Sequence, residues 1–185
     1  LKRNSLNRPS PIPTRRLAEP ERVARPAHGA FVWGTILAAW LVSLLPWRLW
    51  AGAPDIVLLV IAFWCVHEPS RIGMFTAFVL GVLMDVHDAG LMGEHALNYV
   101  LVAYGAVVLH RRLQRFDLWS QAIHMLPLFF LAKLVPVVIH AWVAGLWPGW
   151  EWALGTLLTA AIFPMAGWVL HLPTKGADDA ESASA

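Results

Sequence analysis

The sequence predicts an all-α integral membrane protein, a bundle of six spanning helices. Three observations predict it. Hydrophobic residues make up 58% of the 185-residue chain against 14% charged, and they come in long blocks rather than in alternation, as membrane sequences do. Basic residues are segregated: Lys2, Arg3, Arg8, Arg15, Arg16, Arg22 and Arg25 are half of the fourteen Lys and Arg. Small residues recur at helical spacing inside an apolar block, at Gly73, Ala77 and Gly81, and the series ends at Asp85. That spacing lays them along one face of a helix. There they form a groove in which a second helix can approach closely, the packing device of membrane helices.

The division expected is residues 1–28 as a disordered basic tail, 29–172 as the six-helix domain, and 173–185 as a second disordered tail. The first 28 residues hold those seven basic residues among five prolines and cannot bury a core. Such a run fixes topology and is drawn to anionic lipid. The apolar run that follows exceeds a signal-peptide core, and Ala51-Gly52-Ala53, which mimics a cleavage site, is followed by Pro54 and a further apolar segment. An uncleaved first span is therefore expected.

The spans fall at about residues 30–45, 55–66, 72–86, 93–109, 118–143 and 152–170. In the first, Ala30, Gly34 and Ala38 repeat at four and predict another close-packing face. Pro46, Trp47 and Trp50 place a turn at an interface, where tryptophan concentrates. Asp55 follows Pro54 and suits the first turn of a helix. The run after it is only a dozen residues against the ~20 of a simple span, so it either borrows residues from its flanks or is shielded by neighbours. His87 to His95 reads as a polar loop, and Asn98 and Tyr104 on the fourth span as groups that hydrogen-bond between helices. Pro127 and Pro136 interrupt the fifth span and Pro164 the sixth, each removing a backbone donor. With an internal N-terminus, Arg71, Arg111, Arg112, Arg115 and Lys175 all fall on the cytoplasmic side and Arg48 alone outside. Both termini are expected in the cytoplasm, with residues 20, 113 and 180 inside and residues 50, 90 and 148 outside.

Two ionisable residues lie deep within spans. Asp85 is ~20 Å and Lys133 ~22 Å from the inner ends of their helices at 1.5 Å per residue. A structural ion pair between them is the favoured reading. The alternatives are a polar pocket open to the outside and lined by both, or Lys133 reaching outward while Asp85 caps the loop backbone. Asp85, His87, Asp88, Glu94 and His95 are metal-ligating types within eleven residues, but their spacing matches no familiar zinc pattern. Cys65 is the single cysteine, so neither a disulfide within the chain nor a Cys-pair metal site is expected. Neither a nucleophile elbow, a phosphate-binding loop nor a dinucleotide fingerprint is present. No cofactor, catalytic residue or nucleic-acid partner is expected, since the basic run lacks interleaved aromatics.

Taken together, Pro54-Asp55-Ile56-Val57-Leu58-Leu59, then Gly81-Val82-Leu83-Met84-Asp85, then Gly93-Glu94-His95-Ala96-Leu97-Asn98-Tyr99 resemble the rod shape-determining protein MreD family over about residues 30–170. The resemblance implies a non-enzymatic component of the bacterial inner membrane in the cell-elongation machinery. Its implied partners are the scaffold MreC, the actin-like MreB filament, the elongation peptidoglycan synthases and membrane lipid. It also implies a fold similar to the substrate-binding subunits of energy-coupling-factor transporters, and hence a rival function as a vitamin-type ligand-binding subunit. The residues expected to carry structure or partner binding are Gly73, Ala77, Gly81, Asp85, Gly93, Asn98 and Lys133.

Overall fold

A computed structural model describes residues 29–45, 52–89 and 91–182, with side chains through residue 170. The expected N-terminal tail, the turn at 46–51, Gly90 and residues 183–185 lie outside the described residues. Six helices follow in order: α1 Gly29–Ser43, α2 Ile56–His67, α3 Met74–Asp88, α4 Glu94–Leu113, α5 Leu118–Ala144 and α6 Glu151–Ser182. The six expected spans map onto these six helices. Two of them, Leu118–Ala144 and Glu151–Leu170, are long and apolar enough to cross a membrane. The backbone of α6 stays helical to Ser182, through Pro173, so the expected boundary of a disordered tail at 173 is not a helix end.

The centre of the bundle is α2. Every residue from Val57 to Val66 is buried, because α1, α4 and α6 all pack on this one helix. Twelve residues rise only ~18 Å, and they remain uniformly apolar because no face meets solvent. The helix is therefore short because neighbours shield it. Its N-cap is Asp55, whose Oδ1 accepts from the amide of Leu58 at 3.0 Å, so Asp55 stands just before the helix rather than in its first turn.

On α3 the inward face carries Ala77, Gly81, Met84 and Asp85, while Phe75, Phe78, Leu83 and Val86 are exposed. The small-residue groove is filled by α4 of the same chain. A Cβ built on Gly81 would lie 2.4 Å from Ala96 Cα and 2.7 Å from its nitrogen. Gly73 takes no part in this packing: it is the extended N-cap of α3 with open space beside it. The face expected on α1 is also corrected. Val32, Ile36, Ala39 and Ser43 are buried, whereas Ala30, Gly34 and Ala38 point outward. The bulky residues bring more apolar area out of water against α2 than the small ones would.

Beyond the bundle interior, α3, α5 and α6 present long apolar faces to the outside, among them Ile123, Leu131, Trp142, Met165 and Trp168. Contiguous apolar surface of this extent marks contact with lipid or with another protein. At one end of the bundle, Gln114 Nε2 donates to the carbonyl of Val66 at 2.8 Å and Arg71 meets Glu68 at 3.7 Å. The opposite end gathers the starts of α2, α4 and α6 with the end of α5, and there the polar groups converge.

Candidate functional site

The helix α4 begins with amides that have no partner within the helix. Asp85, arriving from the end of α3, supplies one. Its Oδ2 accepts from Gly93 N at 2.9 Å and Ala96 N at 3.2 Å, and its Oδ1 accepts from His95 N at 2.7 Å. The positive end of α4 and three amide donors thus converge on a carboxyl group that is 2% exposed. Gly93 makes the turn possible at φ 99°, a conformation that other residues rarely adopt. His95 is gripped between two carboxylates, with Nδ1 3.1 Å from Asp85 Oδ1 and Nε2 3.4 Å from Asp88 Oδ2.

Lys133 does not pair with Asp85. Its Nζ lies 3.2 Å from Glu94 Oε1, and His140 Nδ1 lies 3.5 Å from Glu94 Oε2. The physical reason is lateral position. Helix rise says nothing of which helices are adjacent: α5 packs on α4 and α6, so the acid that Lys133 meets is on α4. The loop-capping alternative describes Asp85.

A second polar cluster ties three helices together. Tyr99 on α4 donates to Asp55 Oδ1 at 2.9 Å. The amide of Asp55 donates to Thr159 Oγ1 on α6 at 2.9 Å, and Thr159 donates to the carbonyl of Gly155 at 2.8 Å. The sequence singles out none of Tyr99, Thr159 and His140 as site residues, and Glu94 only as a metal-ligating type. Tyr99 and Glu94 were visible as the polar members of the fourth span; Thr159 and His140 carry no signal without the tertiary fold.

These groups surround a partly open cavity of about 260 Å³ at the end of the bundle opposite Arg111, Arg112 and Arg115. Asp55, Glu94, His95, Asn98, Lys133, His140, Glu151, Trp152, Thr156 and Thr159 line it, with Leu58, Phe129 and Val137 among the apolar walls. Asn98 is 1% exposed, and its Oδ1 is buried without a hydrogen-bond partner. It faces the cavity rather than bridging helices, and Tyr104 is exposed, so neither makes the interhelical bond expected of it. Of the seven expected residues, Asp85, Gly93, Gly81 and Ala77 gather at the α3–α4 junction, Asn98 and Lys133 line the cavity, and Gly73 lies apart from both. Among the described residues no group of three or more His, Cys, Asp or Glu side chains is placed to hold a metal ion.

Fold and site together define a helical bundle of membrane type, in which the ionisable side chains fasten helix ends around a small polar pocket. Residues 27–171 match the model of the family described as rod shape-determining protein MreD, and the chain belongs to that family. It is also 24% identical over 149 residues to the rod shape-determining protein MreD of Haemophilus influenzae, spanning 77% of this chain and 90% of that protein. The family is one of cell-shape determination and not a known family of enzymes. No solved structure matches the chain, and the expected likeness to energy-coupling-factor transporter subunits has no support from one.

Proposed function

We propose that this protein is a non-catalytic scaffold of the bacterial inner membrane, with six spans and both termini cytoplasmic. It binds the scaffold MreC and helps to position peptidoglycan synthesis, in an assembly with MreB and the elongation synthases. The observation that carries this reading is the extent of the family match, which covers residues 27–171, that is α1 to α5 and α6 as far as residue 171.

The geometry supports one place for such a partner. Charge segregation puts the arginine end inside, so the polar cavity opens outward, towards the side that MreC occupies. We infer that a segment of MreC enters this cavity. A vitamin-type ligand is less well served. At about 260 Å³ and partly open, the cavity is below the ~300–1,000 Å³ of pockets that enclose small molecules. Two of its charged side chains, Glu94 and Lys133, already pair with each other.

Depletion of the protein tests the function. Rod-shaped cells are expected to widen and round, with restoration by the native chain and not by a Thr156→Trp variant that fills the cavity. Unchanged cell shape on depletion rejects the role in elongation.

A further inference from the structure

At the end of the bundle opposite the polar cavity, unmatched positive charge meets an apolar path. Arg111 and Arg112 close α4, Arg115 stands in the turn to α5, and all three are exposed. Among the described residues no acid lies within ion-pair distance of any of them. The negative end of α4 accounts for part of this charge, but Arg115 lies beyond the helix. The backbone that presents them is braced. Gln114 Nε2 donates to the carbonyl of Val66 at 2.8 Å, Gln121 Nε2 donates to that of Phe116 at 3.0 Å, and Leu113 is buried. From this corner an apolar stripe runs along α5. Trp119, Ile123, Leu126 and Phe130 recur at the spacing of one helix face, and all four are exposed. The stripe ends in an open groove of about 450 Å³, where Leu126 and Phe130 face Ala153, Leu154 and Leu157 of α6. Every residue lining the groove except Thr156 is apolar, so it suits an apolar occupant. From Trp119 to Phe130 the helix rises ~17 Å at 1.5 Å per residue. One leaflet of a hydrocarbon core ~30 Å thick is ~15 Å deep.

We propose that this face binds one anionic phospholipid of the inner leaflet. Its phosphate meets Arg111, Arg112 and Arg115, and an acyl chain follows Trp119 and Ile123 into the groove between α5 and α6. The two parts of the site select the two parts of the ligand. Guanidinium groups match phosphate oxygens in charge and in forked geometry. Tryptophan settles at the headgroup boundary, so Trp119 marks the depth at which the stripe enters hydrocarbon. The ~17 Å of stripe beyond it is the reach of a chain within one leaflet. An acidic peptide would match the arginines and leave the groove empty. A neutral lipid would fill the groove and leave the arginines unmatched. An anionic amphiphile meets both. The leaflet follows from charge segregation, which puts the arginine end inside, where basic residues are drawn to anionic headgroups.

The lipid site is independent of the docking of MreC, and its test needs no partner protein. The full-length chain in detergent is titrated with phosphatidylglycerol and phosphatidylcholine of identical acyl chains. Native mass spectrometry counts the lipid retained, and thermal unfolding confirms that each variant is folded. The native chain is expected to hold one phosphatidylglycerol in preference to phosphatidylcholine. Each arginine near a headgroup is worth about 5-fold. The combined variant Arg111→Gln, Arg112→Gln and Arg115→Gln is therefore expected to lose about 100-fold in phosphatidylglycerol binding on that scale, with phosphatidylcholine unaffected. Ala153→Phe fills the groove without touching a charge. It is expected to weaken phosphatidylglycerol about 5-fold, the worth of about ten lost carbon contacts. Loss in both variants supports the site. A combined glutamine variant that keeps the preference places the anion elsewhere, on the basic residues before 26, and overturns the proposal. An Ala153→Phe variant that binds like native leaves a headgroup contact with no acyl groove, and overturns it as well. Equal retention of the two lipids by the native chain also rejects it, and leaves the face to bulk lipid or to another protein.

Discussion

At the scale of single residues, the carboxylate that sequence reasoning singled out is a helix cap, and a neighbouring one takes the lysine. The difference is measurable. Glu94→Gln and Lys133→Met each break a pair whose side chains are about a fifth exposed. Each is expected to cost ~1–2 kcal/mol of stability in detergent, less than the 3–5 of a fully buried pair, and the double variant is expected to recover ~1 kcal/mol as coupling between contacting residues. The same cycle on Asp85→Asn and Lys133→Met is expected to be additive. A coupling of ~1 kcal/mol there contradicts the separation of the two groups. Asp85→Asn alone weakens three charge-assisted bonds at the head of α4 and is expected to cost ~1–3 kcal/mol. The sequence made Asp85 legible because an acid at that depth in an apolar segment must be matched by something. It did not make the partner legible. Helix rise converts residue number into depth, but which side chain is met depends on rotation about the axis and on which helices are adjacent, and neither is written locally.

At the scale of elements, two series of small residues looked alike and behave differently. Gly81 is packed against the backbone of Ala96, and a Cβ there lies 2.4 Å from the nearest atom, so α3 and α4 must move apart to admit it. Gly81→Ala is expected to destabilise by ~1–3 kcal/mol, as overpacking does. Gly34 has nothing within 4 Å of a built Cβ. Gly34→Ala on α1 is expected to be neutral or to stabilise by up to ~1 kcal/mol through helix propensity. Thermal unfolding of the two variants in one detergent checks both, and equal effects would show that the α3–α4 contact is looser than described. The helices themselves were readable, because apolar runs bounded by Pro, Gly and charge leave few alternatives. Their neighbours were not: Ala30, Gly34 and Ala38 satisfy the spacing rule for close packing, yet Val32 and Ile36 a few residues away gain more from burial against α2. The three-helix joint at Asp55 is also new information. Tyr99→Phe removes one of its bonds and is expected to cost ~0.5–1.5 kcal/mol, since Leu58 N still holds Oδ1.

At the scale of the whole molecule, the two ends of the bundle are chemically unlike, and topology follows from that. One end holds Arg71, Arg111, Arg112 and Arg115. The other holds Asp55, Glu94 and Glu151 around the cavity, where the one lysine is matched by Glu94. Basic residues near span ends stay on the cytoplasmic side, whereas acidic ones cross with little resistance, so the arginine end is expected inside and the cavity outside. The short central helix fits this orientation: α2 rises ~18 Å where a bilayer core is ~30 Å thick, and a water-accessible cavity at one end makes up part of the difference without exposing backbone to lipid. The chain offers a clean way to check it. Cys65 is the single cysteine and is fully buried, so a membrane-impermeant maleimide meets little background. Leu146→Cys and Phe116→Cys place thiols on exposed positions of the turns at opposite ends. The first is expected to react from outside in intact cells, and the second only after the membrane is opened. The reverse pattern would turn the bundle over, close the cavity to any partner outside the cell, and with it end the docking of MreC there.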